Sequence, residues 1–218
     1  MAVLRTIALF VAGVSLGLAA VGCGGGSSKN APAGTPATAA ASKPNCPVSS
    51  RASWLGVANQ IHADVYCLSW LPDPLDGTFG GSTFNGRFVN ARREYLVSFA
   101  WIEPSADGVD EVHVNLRGYP GRVAIPVCED TLTVNGKTVH PKMPCYGDGR
   151  TRKRFGQTTV TVYTANQGAD QWHILYGWHH HGSLYTLSEH VVAPYTHAEV
   201  VANLDRMMRG LVLVHPSA

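Results

Sequence analysis

Only the part of this chain beyond residue 45 has the composition to build a core, and that partition constrains the fold more than any motif. Residues 6–22 (TIALFVAGVSLGLAAVG) carry no acid or base, and Arg5 is the single charge before them. A basic start, an apolar middle and a small-residue end make an export signal rather than a fold element. The run also falls short of the roughly 20 apolar residues that a comfortable membrane span takes. Residues 24–44 (GGGSSKNAPAGTPATAAASKP) have almost no apolar bulk, so burial there cannot offset the entropy of ordering the chain. The expected organisation is a signal peptide over 1–22, a flexible tether over 23–45 and one extracytoplasmic domain over 46–218. A tether of this length reaches about 25 Å.

The signal ends in Ala20, Val21 and Gly22 directly before Cys23. This stretch resembles the lipobox of bacterial lipoproteins, although many members have Leu where this chain has Ala20. The resemblance implies that the Cys23 thiol is lipidated with a diacylglycerol and that the chain is cut just before it. It places the protein at the bacterial cell membrane, lipid-anchored on the extracytoplasmic face. Two acyl chains suffice for stable anchoring, at about 0.8 kcal/mol per buried CH₂.

The formal net charge is +2, and removing Arg5 leaves +1. A nucleic-acid binder is usually far more basic, so no nucleic-acid partner is expected. The one basic run, RTRKR at Arg150–Arg154, is flanked by Gly149 and Gly156 and reads as a solvated loop. Beyond Cys23 the chain has Cys46, Cys67, Cys128 and Cys145. An even number in an exported chain reads as disulfides, with three possible pairings. The local pairing, Cys46 with Cys67 and Cys128 with Cys145, is the expected one; each bridge is then worth roughly 3 kcal/mol in the chain-entropy model. No close C-x-x-C pair suggests a cysteine zinc site.

Trp54, Val57, Ala58, Ile61 and Val65 recur at helical spacing, predicting a first helix capped by Ser49, Ser50 or Ser53 and ending near Ala63. Arg93–Glu103 reads as a strand. Val109–Tyr119 alternates Val112, Val114 and Leu116 against Glu111, His113 and Asn115, the pattern of a half-buried strand. Asn135-Gly136 accepts positive φ at both turn positions and predicts a hairpin. Strands are expected near Thr158–Thr164, Gln171–Trp178 and Ser183–Val191. Thr196 and Glu199 make a capping box before an apolar stripe through Val200, Val201, Leu204, Met207, Met208 and Leu211. That stripe predicts a second helix reaching Val214. The expected fold class is α+β, an antiparallel meandering sheet with an N-terminal and a C-terminal helix packed on it. The proline-broken LSWLPDPLDG at Leu68–Gly77, and GSLYTLSEH followed by a terminal helix, resemble a small α+β domain of bacterial lipoproteins and anti-sigma factor ends. That resemblance implies no activity.

No nucleophile elbow, zinc-peptidase helix, S-x-x-K or phosphate loop occurs in the folded part. The glycine-rich stretch Gly77–Gly86 opens no clear helix and reads as a loop. The carboxylates Asp107, Asp110, Glu111, Glu129 and Asp130 fall in turns or at strand ends. The expectation is therefore a non-catalytic domain that needs no cofactor and binds a small-molecule ligand or an envelope protein. The alternative is zinc or copper binding at the histidine run His179–His181. With a loop at His179–Gly182, His179 and His181 share one side, and His197 or His215 is a candidate third ligand. In that register Trp178 faces Ser183, Ile174 faces Leu187, Tyr176 faces Tyr185, and Trp172 lies beside Glu189. On the other face His173 lies across from Ser188, with His190 diagonal to it.

Overall fold

Alternation along one strand organises the molecule. In the computed structural model Val112, Val114 and Leu116 are buried in the main core, while Glu111, His113 and Asn115 point to the opposite face of the sheet. The structure describes residues 43–77, 85–105, 108–149, 151–166, 172–193 and 195–217, with the backbone alone at 103–105, 108–110 and 165–166. The signal, Cys23 and most of the tether lie outside the described residues, as do most of the glycine-rich stretch and Asp107.

In chain order come helix α1 (Val48–Ile61), then strands β1 (Val65–Leu68), β2 (Gly86–Val89), β3 (Tyr95–Ser105) and β4 (Gly108–Tyr119). Short strands follow: β5 (Val127–Glu129), β6 (Leu132–Val134), β7 (Lys137–Val139), β8 (Lys142–Pro144) and β9 (Tyr146–Gly147). Then come β10 (Thr151–Phe155), β11 (Thr158–Tyr163), β12 (Ala165–Asn166), β13 (His173–His180), β14 (Ser183–His190), helix α2 (His197–Arg209) and β15 (Leu211–Val214). The structure is mostly β, with two helices and antiparallel sheets.

The principal sheet has seven strands in the order β10-β11-β13-β14-β4-β3-β2. It is not one meander. Two meanders, β2-β3-β4 and β10-β11-β13-β14, meet where β4 pairs with β14, with Leu116 opposite Leu187 and Asn115 opposite Ser188. Both helices contribute to one core on the same face. Trp54, Val57, Ala58 and Ile61 of α1 and Val200, Leu204, Met207 and Met208 of α2 pack with Phe99, Leu116, Tyr176 and Leu187. A smaller cluster of Tyr146, Leu175 and Leu184 covers part of the other face. Across β3–β4, Gly118 faces Tyr95, whose ring fills the space a Cβ would take.

The capping box at Thr196 and Glu199 is present, and Asn135 and Gly136 both have positive φ between β6 and β7. Both disulfides follow the local pairing, Cys46–Cys67 and Cys128–Cys145. Helix α1 begins earlier than expected, after Pro47 and without a side-chain cap; Ser50 lies inside it. Helix α2 ends at Arg209. After Gly210 the apolar run LVLV leaves the helix and pairs with β1, which has no other strand beside it among the described residues. From Thr151 on, the basic run is strand β10 rather than a loop. Its alternation turns Lys153 inward, where Nζ donates to Tyr176 Oη at 2.8 Å and to Asp205 at 2.7 Å.

Candidate functional site

Three histidines and a glutamate converge on the face of the sheet opposite the main core. Glu111 and His113 are two apart on β4 and so share that face. His190, at the end of β14, stands next to His113, and His173 opens β13 directly opposite His190. The three rings lie within 4.4 to 5.0 Å of one another, centroid to centroid. His173 is only 3% exposed, and Asn115, Thr186 and Ser188 form a buried polar floor on the same face.

The nitrogens are arranged in two layers. Glu111 Oε1 is hydrogen-bonded to His113 Nδ1 and lies 3.8 Å from His190 Nδ1. These three ligand atoms all fall within 4.8 Å of one another. The other nitrogen of His113, Nε2, meets Nε2 of His173 at 2.5 Å. His190 Nδ1 is buried and has no hydrogen-bond partner among the described residues. Burial holds the His190 pKa below its ordinary value, helped by the adjacent His113 and opposed by Glu111. A neutral imidazole with a free lone pair is the form a metal requires.

Such a set suits a borderline transition metal. Zinc takes imidazole nitrogen at about 2.0–2.1 Å and carboxylate oxygen at about 2.0–2.2 Å, so neighbouring ligand atoms of a tetrahedral ion stand about 3.4 Å apart. The ligand atoms of Glu111, His113 and His190 lie within 4.8 Å of one another, close to that spacing. His173 then plays the part of an outer partner, fixing the tautomer and direction of the His113 ring. The carboxylate Glu111 lies on β4, the strand expected over Val109–Tyr119.

The histidine run behaves differently. Trp178 faces Tyr185 rather than Ser183, and only His181 and Gly182 form the turn, with φ of 45° and 71°. Positive φ at both positions is the tight hairpin geometry. The expected register is thus off by two residues, which preserves the faces but changes every pair. Ile174 faces Glu189, Tyr176 faces Leu187, and Trp172 is a solvent-exposed residue before the strand. His179 and His181 do not share a site. His179 Nε2 donates to the Val123 carbonyl at 2.8 Å, whereas His180 and His181 turn toward Asp64. His215 joins Asp64, and His197 is exposed on the first turn of α2.

A separate cleft of about 530 Å³ lies against Arg92, Arg117, Arg122 and the Cys128–Cys145 bridge, with Glu94 paired to Arg122 at 3.0 Å. Trp70, Trp101 and Tyr119 are half-buried. The strand pattern holds the parts of the histidine cluster in view, since Glu111-x-His113 is legible on the polar side of β4, and His173 and His190 on the polar side of the β13–β14 hairpin. What it lacked was the pairing of β4 with β14. No family model, no curated protein and no solved structure matches this chain.

Proposed function

We propose that this chain is an extracytoplasmic lipoprotein, held at the membrane through Cys23, whose α+β domain binds one zinc or copper ion on its open sheet face. Glu111, His113 and His190 are the ligands, and His173 orients His113. The observation that carries this reading is the convergence of three ligand atoms within 4.8 Å of one another, one of them a buried imidazole nitrogen without a hydrogen-bond partner among the described residues. Three protein ligands leave a further coordination position for water or an external ligand. The role proposed is binding rather than catalysis. The two disulfides suit an oxidising compartment, and the uncharged run ending at Cys23 supports the anchor.

Metal content of the purified, untagged chain tests the site. The double variant His113→Ala/His190→Ala is expected to lose one equivalent of bound zinc. His173→Gln is expected to weaken that equivalent by about 10–100-fold, the usual cost of an outer partner. His179→Ala is expected to change nothing. Unaltered zinc binding in the double variant would overturn the assignment.

A second reading, docking of an envelope protein, is favoured by the β6–β7 ribbon, which exposes Leu132, Val134 and Val139 along one face. Replacing Leu132 and Val139 by threonine is expected to leave folding intact and to abolish cross-linking to a membrane-side neighbour. Unchanged cross-links would remove the ribbon from consideration.

A further inference from the structure

We infer a second transition-metal site at the closed end of the β13–β14 hairpin, formed by Asp64, His180 and His181, whose ligand atoms lie within 4.8 Å of one another, with His215 orienting the Asp64 carboxylate. It is separate from the Glu111 cluster and shares no residue with it.

The site follows from two local geometries. Strands β1 and β15 pair with Val65 opposite Val214, so one step further Asp64 comes opposite His215. Their side chains meet there, with His215 Nδ1 2.7 Å from Asp64 Oδ1. The second geometry is the two-residue turn. With positive φ at His181 and Gly182, it stacks the His180 and His181 rings 3.9 Å apart and brings both to the other oxygen of the same carboxylate. His181 Nδ1 is 3.4 Å and His180 Nε2 3.8 Å from Asp64 Oδ2.

The surroundings hold these groups in place. Tyr185 Oη donates to the Asp64 backbone carbonyl at 3.0 Å, which pins residue 64. The Tyr66 ring stands edge-on to His180, with centroids 5.9 Å apart, and also packs against Trp178 and Tyr185. One ligand atom is left in an unsatisfied state. His180 Nε2 is buried and makes no hydrogen bond among the described residues, and such a group is destabilising until it is satisfied.

The donors match a transition metal. A divalent ion accepts neutral imidazole nitrogens and the carboxylate together. Two nitrogens and one oxygen, with a further position for water, suit zinc or copper(II) rather than calcium or magnesium, which take oxygen ligands. Once bound, the ion ties the hairpin tip to Asp64 ahead of β1, and through that carboxylate to His215 after β15.

Calorimetric titration of the metal-free full chain with zinc tests the inference. Two equivalents are expected. His181→Asn/His215→Ala is expected to retain only one, and asparagine keeps the left-handed turn position that residue 181 requires. His113→Ala/His190→Ala is expected to retain the other. Circular dichroism checks that each variant is folded, and Asp64→Asn serves as an independent third variant. Two equivalents persisting at wild-type affinity in both hairpin variants would overturn the second site. A single equivalent abolished only by the His113/His190 variant would also overturn it. A single equivalent abolished only by the hairpin variants would support this site and overturn the Glu111 cluster instead.

Discussion

Glutamine in place of Glu189 is expected to stabilise the domain at pH 7 by roughly 3 kcal/mol and to leave it unchanged at pH 4. Glu189 is 0% exposed, on the helix-facing side of β14. It lies opposite Val114 and Ile174, among apolar neighbours. Asn203 of α2 donates to its Oε1 at 2.8 Å, while Oε2 has no hydrogen-bond partner among the described residues. Burial raises the carboxyl pKa to about 8, and the Asn203 hydrogen bond only partly opposes the shift.

The direction of the pH effect follows. Below the ordinary carboxyl pKa, near 4.5, both folded and unfolded states carry the neutral acid. As pH rises from there toward about 8, the unfolded chain ionises and the folded one must hold its proton, so stability falls steadily. Above that window the fold must bury the charge itself. An amide is neutral throughout and nearly matches the protonated acid in shape. The comparison is made by urea denaturation at pH 4 to 8, with chelator present throughout so that metal-linked protons do not enter. Wild-type and variant curves that stay parallel across this range would sink the argument.

The two disulfides are expected to differ sharply in effect, although their loops are similar, with separations of 21 and 17 residues. Cys46 and Cys67 are both buried in the main core. Their bridge fixes the start of α1 to β1, so it acts on the cooperative unit. Cys46→Ala/Cys67→Ala is expected to cost roughly 3 kcal/mol of global stability, with a further loss from the space left behind. Cys128 and Cys145 enclose the β5–β8 and β6–β7 ribbons, whose residues are largely exposed. Removing this bridge is expected to leave the global unfolding midpoint within about 0.5 kcal/mol of wild type. Amide exchange over residues 128–145 is expected to rise instead. An equal fall in the midpoint for both pairs would mean that the ribbon unfolds together with the core.

Local chemistry made much of this fold legible. Alternation in β4, the Asn135-Gly136 turn and the Thr196–Glu199 box each act within a few residues, and each is found where the sequence places it. The failures share a different origin. The apolar stripe predicts α2 through to Val214 because LVLV continues it; only β1, far away in sequence, makes a strand of it. Charge hid β10, since Arg152 and Arg154 face outward and the inward Lys153 is satisfied by Tyr176 and Asp205. The hairpin register is not legible locally because histidine, unlike asparagine or glycine, does not advertise a positive φ. Each histidine of the Glu111 cluster is visible alone, but a pairing between distant strands brings them together, and no local pattern encodes that distance.

The junction of β4 with β14 also sets an order of assembly. In a chain made from its N-terminus, β2, β3 and β4 emerge together and can pair at once. The free edge of β4 then waits for β14, which is separated from it by the whole disulfide-bracketed insertion and the second meander. During that interval an apolar strand has its backbone donors and acceptors open to any other strand it meets. A chain interrupted before Ser183 would keep that edge permanently. For this architecture the dangerous species is therefore the half-made molecule, and what protects it is how quickly the last third of the chain arrives.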